Sequence, residues 1–151
     1  MKIEKIAGQI TTLGESSSDN FFGRDAIVYL YIELDEERIV KKFTSLIGAN
    51  GHLRMAFENK ERVELHVATG GKLAKGTAML LAIQRENGRI FGMAPVLKSR
   101  PWVLIVFGLV LVPLYGLGIL LLMGAYDSWG RSSMVAELNT YVAGIPEVIV
   151  L

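Results

Sequence analysis

Between Pro101 and Tyr126 the chain runs through twenty-six residues, PWVLIVFGLVLVPLYGLGILLLMGAY, without one charged side chain. At about 1.5 Å of rise per residue, a helix of that length reaches roughly 39 Å, more than a hydrocarbon core of about 30 Å. In lipid no water satisfies a bare peptide group, so a lone apolar run is expected to cross as a helix. The competing reading, a buried helix of a soluble domain, needs protein on every side of it. A chain of 151 residues supplies too little for that. The expectation is a transmembrane segment over 98–129, preceded by a domain at 1–97 and followed by a short tail at 130–151.

The flanks set an orientation. Lys98 and Arg100 stand before the run, with Arg85 and Arg89 further back, whereas Arg131 follows it among Asp127, Glu137 and Glu147. Lys and Arg collect on the cytoplasmic side of a span, so the N-terminus is expected inside the inner (plasma) membrane and the C-terminus outside. The start, MKIEKIAGQITTLGE, lacks the continuous apolar segment of an export signal. Charge also divides the first domain: residues 1–37 carry 3 basic and 8 acidic groups, residues 38–100 carry 12 and 4. A basic face near an anionic leaflet would be drawn to it. With no cysteine, disulfides and thiol chemistry are excluded, and stability must come from packing and backbone pairing.

The first ninety residues read as short strands. Lys2–Thr12 places Ile3, Ile6 and Ile10 among polar residues, with Gly8 marking a bend. GESSSD at 14–19 is a loop by composition. Asp25–Leu34 is rich in β-branched and aromatic residues, and Arg38–Leu46 follows as its hairpin partner. Arg62–Thr69 alternates cleanly, with Val63, Leu65 and Val67 on one face and Arg62, Glu64 and His66 on the other. Thr77–Gln84 is an apolar strand, and Asn87–Gly88 is a hairpin signal before Arg89–Met93, because both residues tolerate positive φ. The fold class expected is mainly β: a small OB-like (oligonucleotide/oligosaccharide-binding type) barrel of five to six strands followed by a single transmembrane helix. A twisted antiparallel sheet packed on a short helix at 51–58 is the alternative.

Within the run Pro113 removes a backbone hydrogen bond and should kink a helix. Gly108, Gly116, Gly118 and Gly124 leave notches where a neighbouring helix could approach, though none are four apart. Trp102 at one end, Tyr126 and Trp129 at the other, fit headgroup-level anchors, with Lys98 and Arg100 beside them. In the tail Val135, Leu138, Val142 and Ile145 fall on one helical face, which Pro146 would stop. For the last residues, Val148–Leu151, a frayed end is the plainer expectation.

Chemistry is sparse. His52 and His66 are the only histidines, and no His/Glu grouping has metal-ligand spacing, so no metal, cofactor or catalytic residue is assigned. His66 reads as a surface histidine. GGKLAKGT at 70–77 lacks the lysine a phosphate loop requires after its last glycine. Asp35–Glu37 reads as a solvated charge run and Ser16–Ser18 as loop. Tyr29 and Tyr31, expected on one strand face, with Phe43, Phe57 and Phe91, could stack bases beside Lys41, Lys42 and Arg54, but so small a domain needs such rings for its core.

KIEKIAGQITTL (2–13), NKERVELHVA (59–68) and MLLAIQRENGRIFGM (79–93), leading into an apolar segment, resemble a loose group of small bacterial membrane-anchored β-domain proteins carried as type VI secretion system effectors. That resemblance implies delivery into rival cells and action at their membrane, with no catalytic residues to transfer. From the residues themselves, the function expected is non-enzymatic: a single-pass membrane protein whose β-domain holds a protein partner, or a second copy of itself, at the lipid bilayer. A membrane-permeabilising toxin acting by helix oligomerisation is one rival. A tethered nucleic-acid-binding barrel is the other, disfavoured by the use of its aromatics.

Overall fold

The computed structural model describes residues 1–21, 24–35, 38–70, 77–93, 105–107, 109 and 117–151. Among them lie β1 (Lys2–Leu13), β2 (Ser16–Phe21), β3 (Arg24–Leu34), β4 (Arg38–Leu46), α1 (Ile47–Glu58), β5 (Arg62–Thr69), β6 (Ala78–Gln84), β7 (Ile90–Gly92), α2 (Leu117–Ala143) and β8 (Val148–Val150).

Five strands close a barrel. β1 pairs antiparallel with β3 and β5, β3 with β4, and β5 with β6. The ring is sealed by two parallel residue pairs between β4 and β6, Phe43 with Ala78 and Thr44 with Met79. Closure leaves no unpaired edge among those five strands, which β-branched and aromatic sequences need if they are not to pair with other chains. The barrel expected from the strand spacing is therefore present. The helix of the alternative reading is present too, extended to 47–58 and lying between β4 and β5. It buries Ala49, Asn50, Leu53 and Ala56 and touches β1, β3, β4, β6 and β7, which sets it across one end of the barrel.

Two local readings change. GESSSD is not a loop: Ser16–Phe21 pairs along β3 as an added strand, from Ser16 opposite Tyr29 to Phe21 opposite Arg24. Tyr29 and Tyr31 do not share an environment: Tyr29 is fully buried in the core, whereas Tyr31 and Leu30 are exposed. The change falls beside Lys42 of β4, whose φ is +48°. In β1 the register slips between Ile10 and Thr12 rather than at Gly8. Gly88, with φ +80°, makes the β6/β7 turn as its sequence predicts.

The largest departure concerns the second half. The single transmembrane helix is not supported: among the described residues no helix is long and apolar enough to cross a membrane, and much of the uncharged run lies outside those residues. Nor is there a break at 129/130. α2 continues through Asp127, Arg131 and Glu137 to Ala143. Its last third returns to the barrel, where Met134, Leu138 and Val142 join the same core cluster as Ile6, Leu65 and Leu80. The C-terminus is not frayed. β8 pairs parallel with β7, the Leu151 N–H donates to the Gly92 carbonyl at 3.0 Å, and Arg24 Nη1 donates to the Leu151 carbonyl oxygen at 3.3 Å. A Cβ at Gly92 would come within 2.6 Å of Val148 and 2.8 Å of Val142, so a bare backbone there is what lets strand and helix close over β7. Full burial of an aliphatic side chain is worth about 1.5–3 kcal/mol, so three of them fasten this segment firmly.

Candidate functional site: the helix–barrel junction and the exposed apolar helix

Strand alternation puts Lys5 on β1 and Glu64 and His66 on β5 outside the barrel, and α2 lies over them. Lys5 Nζ is 3.0 Å from Glu64 Oε1. The same carboxylate oxygen is 3.1 Å from His66 Nε2, and His66 Nδ1 is 3.0 Å from the Tyr141 hydroxyl. His66 is not the surface residue its alternation suggests; it is 2% exposed, because the helix covers that face.

Burial, and next the Lys5 charge, push His66 below its ordinary pKa, outweighing the opposite pull of Glu64. The hydrogen bond from Lys5 holds the Glu64 carboxyl below the usual range. A neutral imidazole facing a carboxylate must present its proton there, so Nε2–H donates to Glu64 and Nδ1 accepts from the Tyr141 hydroxyl. Both ring nitrogens are thus engaged within the chain. A cavity of about 310 Å³ lies alongside, lined by Lys5, His66, Tyr141 and Pro146 among others.

This burial has a pH consequence. A histidine held neutral in the folded state binds fewer protons than in the unfolded chain, so its contribution to stability is complete above the unfolded value of 6.5 and shrinks as pH falls below it. His52, also lowered by burial and by Arg85, has the same sign. We expect the melting temperature to fall between pH 7.5 and 5 as a result. The slope should be shallower in His66→Asn, and an unchanged slope in that variant would remove His66 from the account.

A second polar set lies around α1. The buried Tyr29 hydroxyl donates to Asn50 Oδ1 at 2.8 Å, and Arg54 Nε reaches the same hydroxyl at 3.4 Å. Arg85 makes a two-pronged contact with the Glu61 carboxylate, both side chains under one-fifth exposed. His52 stacks on Phe91 with ring centroids 3.7 Å apart, and its Nδ1 is buried without a partner. Apart from His52 Nδ1, these groups satisfy one another. Among the described residues no group of three or more His, Cys, Asp or Glu side chains is placed to hold a metal ion. The acidic and basic halves interleave rather than face apart, as Lys5–Glu64 and Arg62–Asp35 link them across strands.

Of the residues singled out in the sequence, Lys98, Arg100, Trp102, Gly108, Pro113 and Gly116 lie outside the described residues. Gly118 is in α2, and Gly124 faces open space, where a Cβ would meet nothing. Tyr126 is 81% exposed and Trp129 59%. They continue a greasy stretch of Ile119, Leu120 and Met123, each more than half exposed on the same helix. Phe43, Tyr29 and Phe91 are core and Phe57 packs against it, so those rings present no stacking platform. The chain matches no protein-family model, no curated protein and no solved structure. What it does must be read from its own surfaces.

Sequence reasoning missed Tyr141 as the partner of His66. Tyr141 follows Leu138 by three positions on the apolar face of the tail, a signal that it packs, but nothing local says against which strand.

Proposed function

We propose that this chain is a membrane-attached, non-catalytic barrel of the oligonucleotide/oligosaccharide-binding type that holds a protein partner, or a second copy of itself, at the inner face of the plasma membrane. The ring order β1-β3-β4-β6-β5, with its parallel closure and a helix between the third and fourth barrel strands, supports that fold type. One observation carries the membrane reading. In the continuous helix α2, residues 117–126 are uncharged and expose Ile119, Leu120, Met123 and Tyr126, while Met134–Val142 is seated in the barrel core. An exposed run of that kind is costly in water and favourable in lipid.

The apolar part of α2 reaches roughly 15 Å, about one leaflet, with Trp129 just beyond it where an indole ring favours the headgroups. Vesicle flotation tests the reading. The full chain should float with anionic liposomes, and Leu120→Lys combined with Met123→Lys should largely abolish flotation without changing the melting temperature. A wild-type chain that stays at the bottom of the gradient, monodisperse without detergent, overturns the proposal. Dye released from the same vesicles would favour the permeabilising rival.

A further inference from the structure

We propose that the open cavity at one end of the barrel binds a small amphipathic carboxylate, its apolar chain inside the barrel and its charge at the rim. The site lies apart from the apolar stretch of α2 and stands whether or not that stretch meets lipid.

Strand register builds the site. Ile6 pairs with Leu65, Glu4 with Val67 and Lys2 with Thr69, so these side chains share one face of β1 and β5. The burial of Ile6, Leu65 and Val67 makes that face the barrel interior. Toward its end the same face turns polar, at Glu4 and Thr69. A cavity of about 380 Å³ opens there, within the range of about 300–1,000 Å³ for small-molecule sites, which favour barrel mouths. Its walls include Ile6, Val67 and Ala78, all core residues, and Val40, packed against them. Such walls offer water few hydrogen bonds, so its displacement by an apolar chain is favourable.

The polar groups at the rim select the head. Glu4 brings no net charge, because Lys2 forms an ion pair with it. The Thr69 hydroxyl donates to the Lys2 carbonyl at 3.5 Å. Among the described residues, the buried Thr77 hydroxyl has no hydrogen-bond partner and the exposed Lys41 no ion pair, and both residues line the cavity. What remains open is a cation and a hydroxyl able to donate, the complement of a carboxylate, which only accepts. An ammonium head would find the one lining carboxylate, Glu4, already engaged.

Radiolabelled hexanoate is the probe, measured by equilibrium dialysis against the full chain in zwitterionic lipid vesicles, with protein-free vesicles as the blank. A chain that stays in the aqueous fraction is dialysed without vesicles, so the result is independent of membrane attachment. The expected result is saturable binding, one molecule per chain, weaker for hexanol and hexylamine and falling as salt rises. Lys41→Gln, at an exposed position, should raise the Kd about fivefold, the scale of one exposed ion pair. Val40→Phe should abolish binding by filling the cavity, and Ala78→Val serves in its place if that variant does not fold. Uptake no greater than that of the blank, or binding that the filling variant leaves intact, overturns the site. Binding that Lys41→Gln leaves intact overturns the choice of a carboxylate.

Discussion

Leu138→Ala is expected to lower the stability of the entire protein by about 2–5 kcal/mol, the range for an aliphatic side chain removed from a core that cannot fully collapse around the gap. Leu138 is fully buried, and its cluster contains residues of every barrel strand rather than of the tail alone. For a chain of this size that loss corresponds to a fall of about 5–15 °C in melting temperature. The diagnostic feature is cooperativity. If helix and barrel are one unit, strand and helix signals in circular dichroism will shift together. A barrel transition left in place, with helical signal lost at lower temperature, would make the tail an independent appendage.

Phe43→Ala should be comparably damaging, at about 3–5 kcal/mol, for a different reason. Phe43 is fully buried and stands opposite Tyr29 on one neighbouring strand and Ala78 on the other, so it sits at the seam where the ring closes. Among the described residues one further pair, Thr44 with Met79, supports that seam. Beside it lies an open cavity of about 380 Å³ lined by Ile39, Val40 and Ala78, among others. Removing the ring would extend that cavity into the core, so amide exchange should accelerate first in β4 and β6. Uniform acceleration across all five strands would argue that the seam is not the weak point.

How legible these features are follows from how local their causes are. β4 and β5 fall at 38–46 and 62–69 as composition and alternation place them, because a half-buried strand prints its period on the sequence. β2 is invisible, since Ser16–Asn20 has little strand propensity and is held by pairing with β3. α2 is misdivided because an apolar segment without a polar face carries no period to mark where one environment yields to the next. The amphipathic spacing of Val135, Leu138 and Val142 is legible, but not the surface it packs on. His66 shows the same limit: alternation assigns it correctly to the outer face of β5, yet whether that face is wet depends on a helix whose Tyr141 lies 75 residues away.

The late position of Met134–Leu151 in the chain carries a consequence for biogenesis. A ribosome delivers all five barrel strands before the piece that covers β7 and His66, and the greasy segment emerges between them. The nascent barrel must therefore persist with one flank bare until Met134–Leu151 has been made and packs against it. Chaperone dependence would concentrate in that interval.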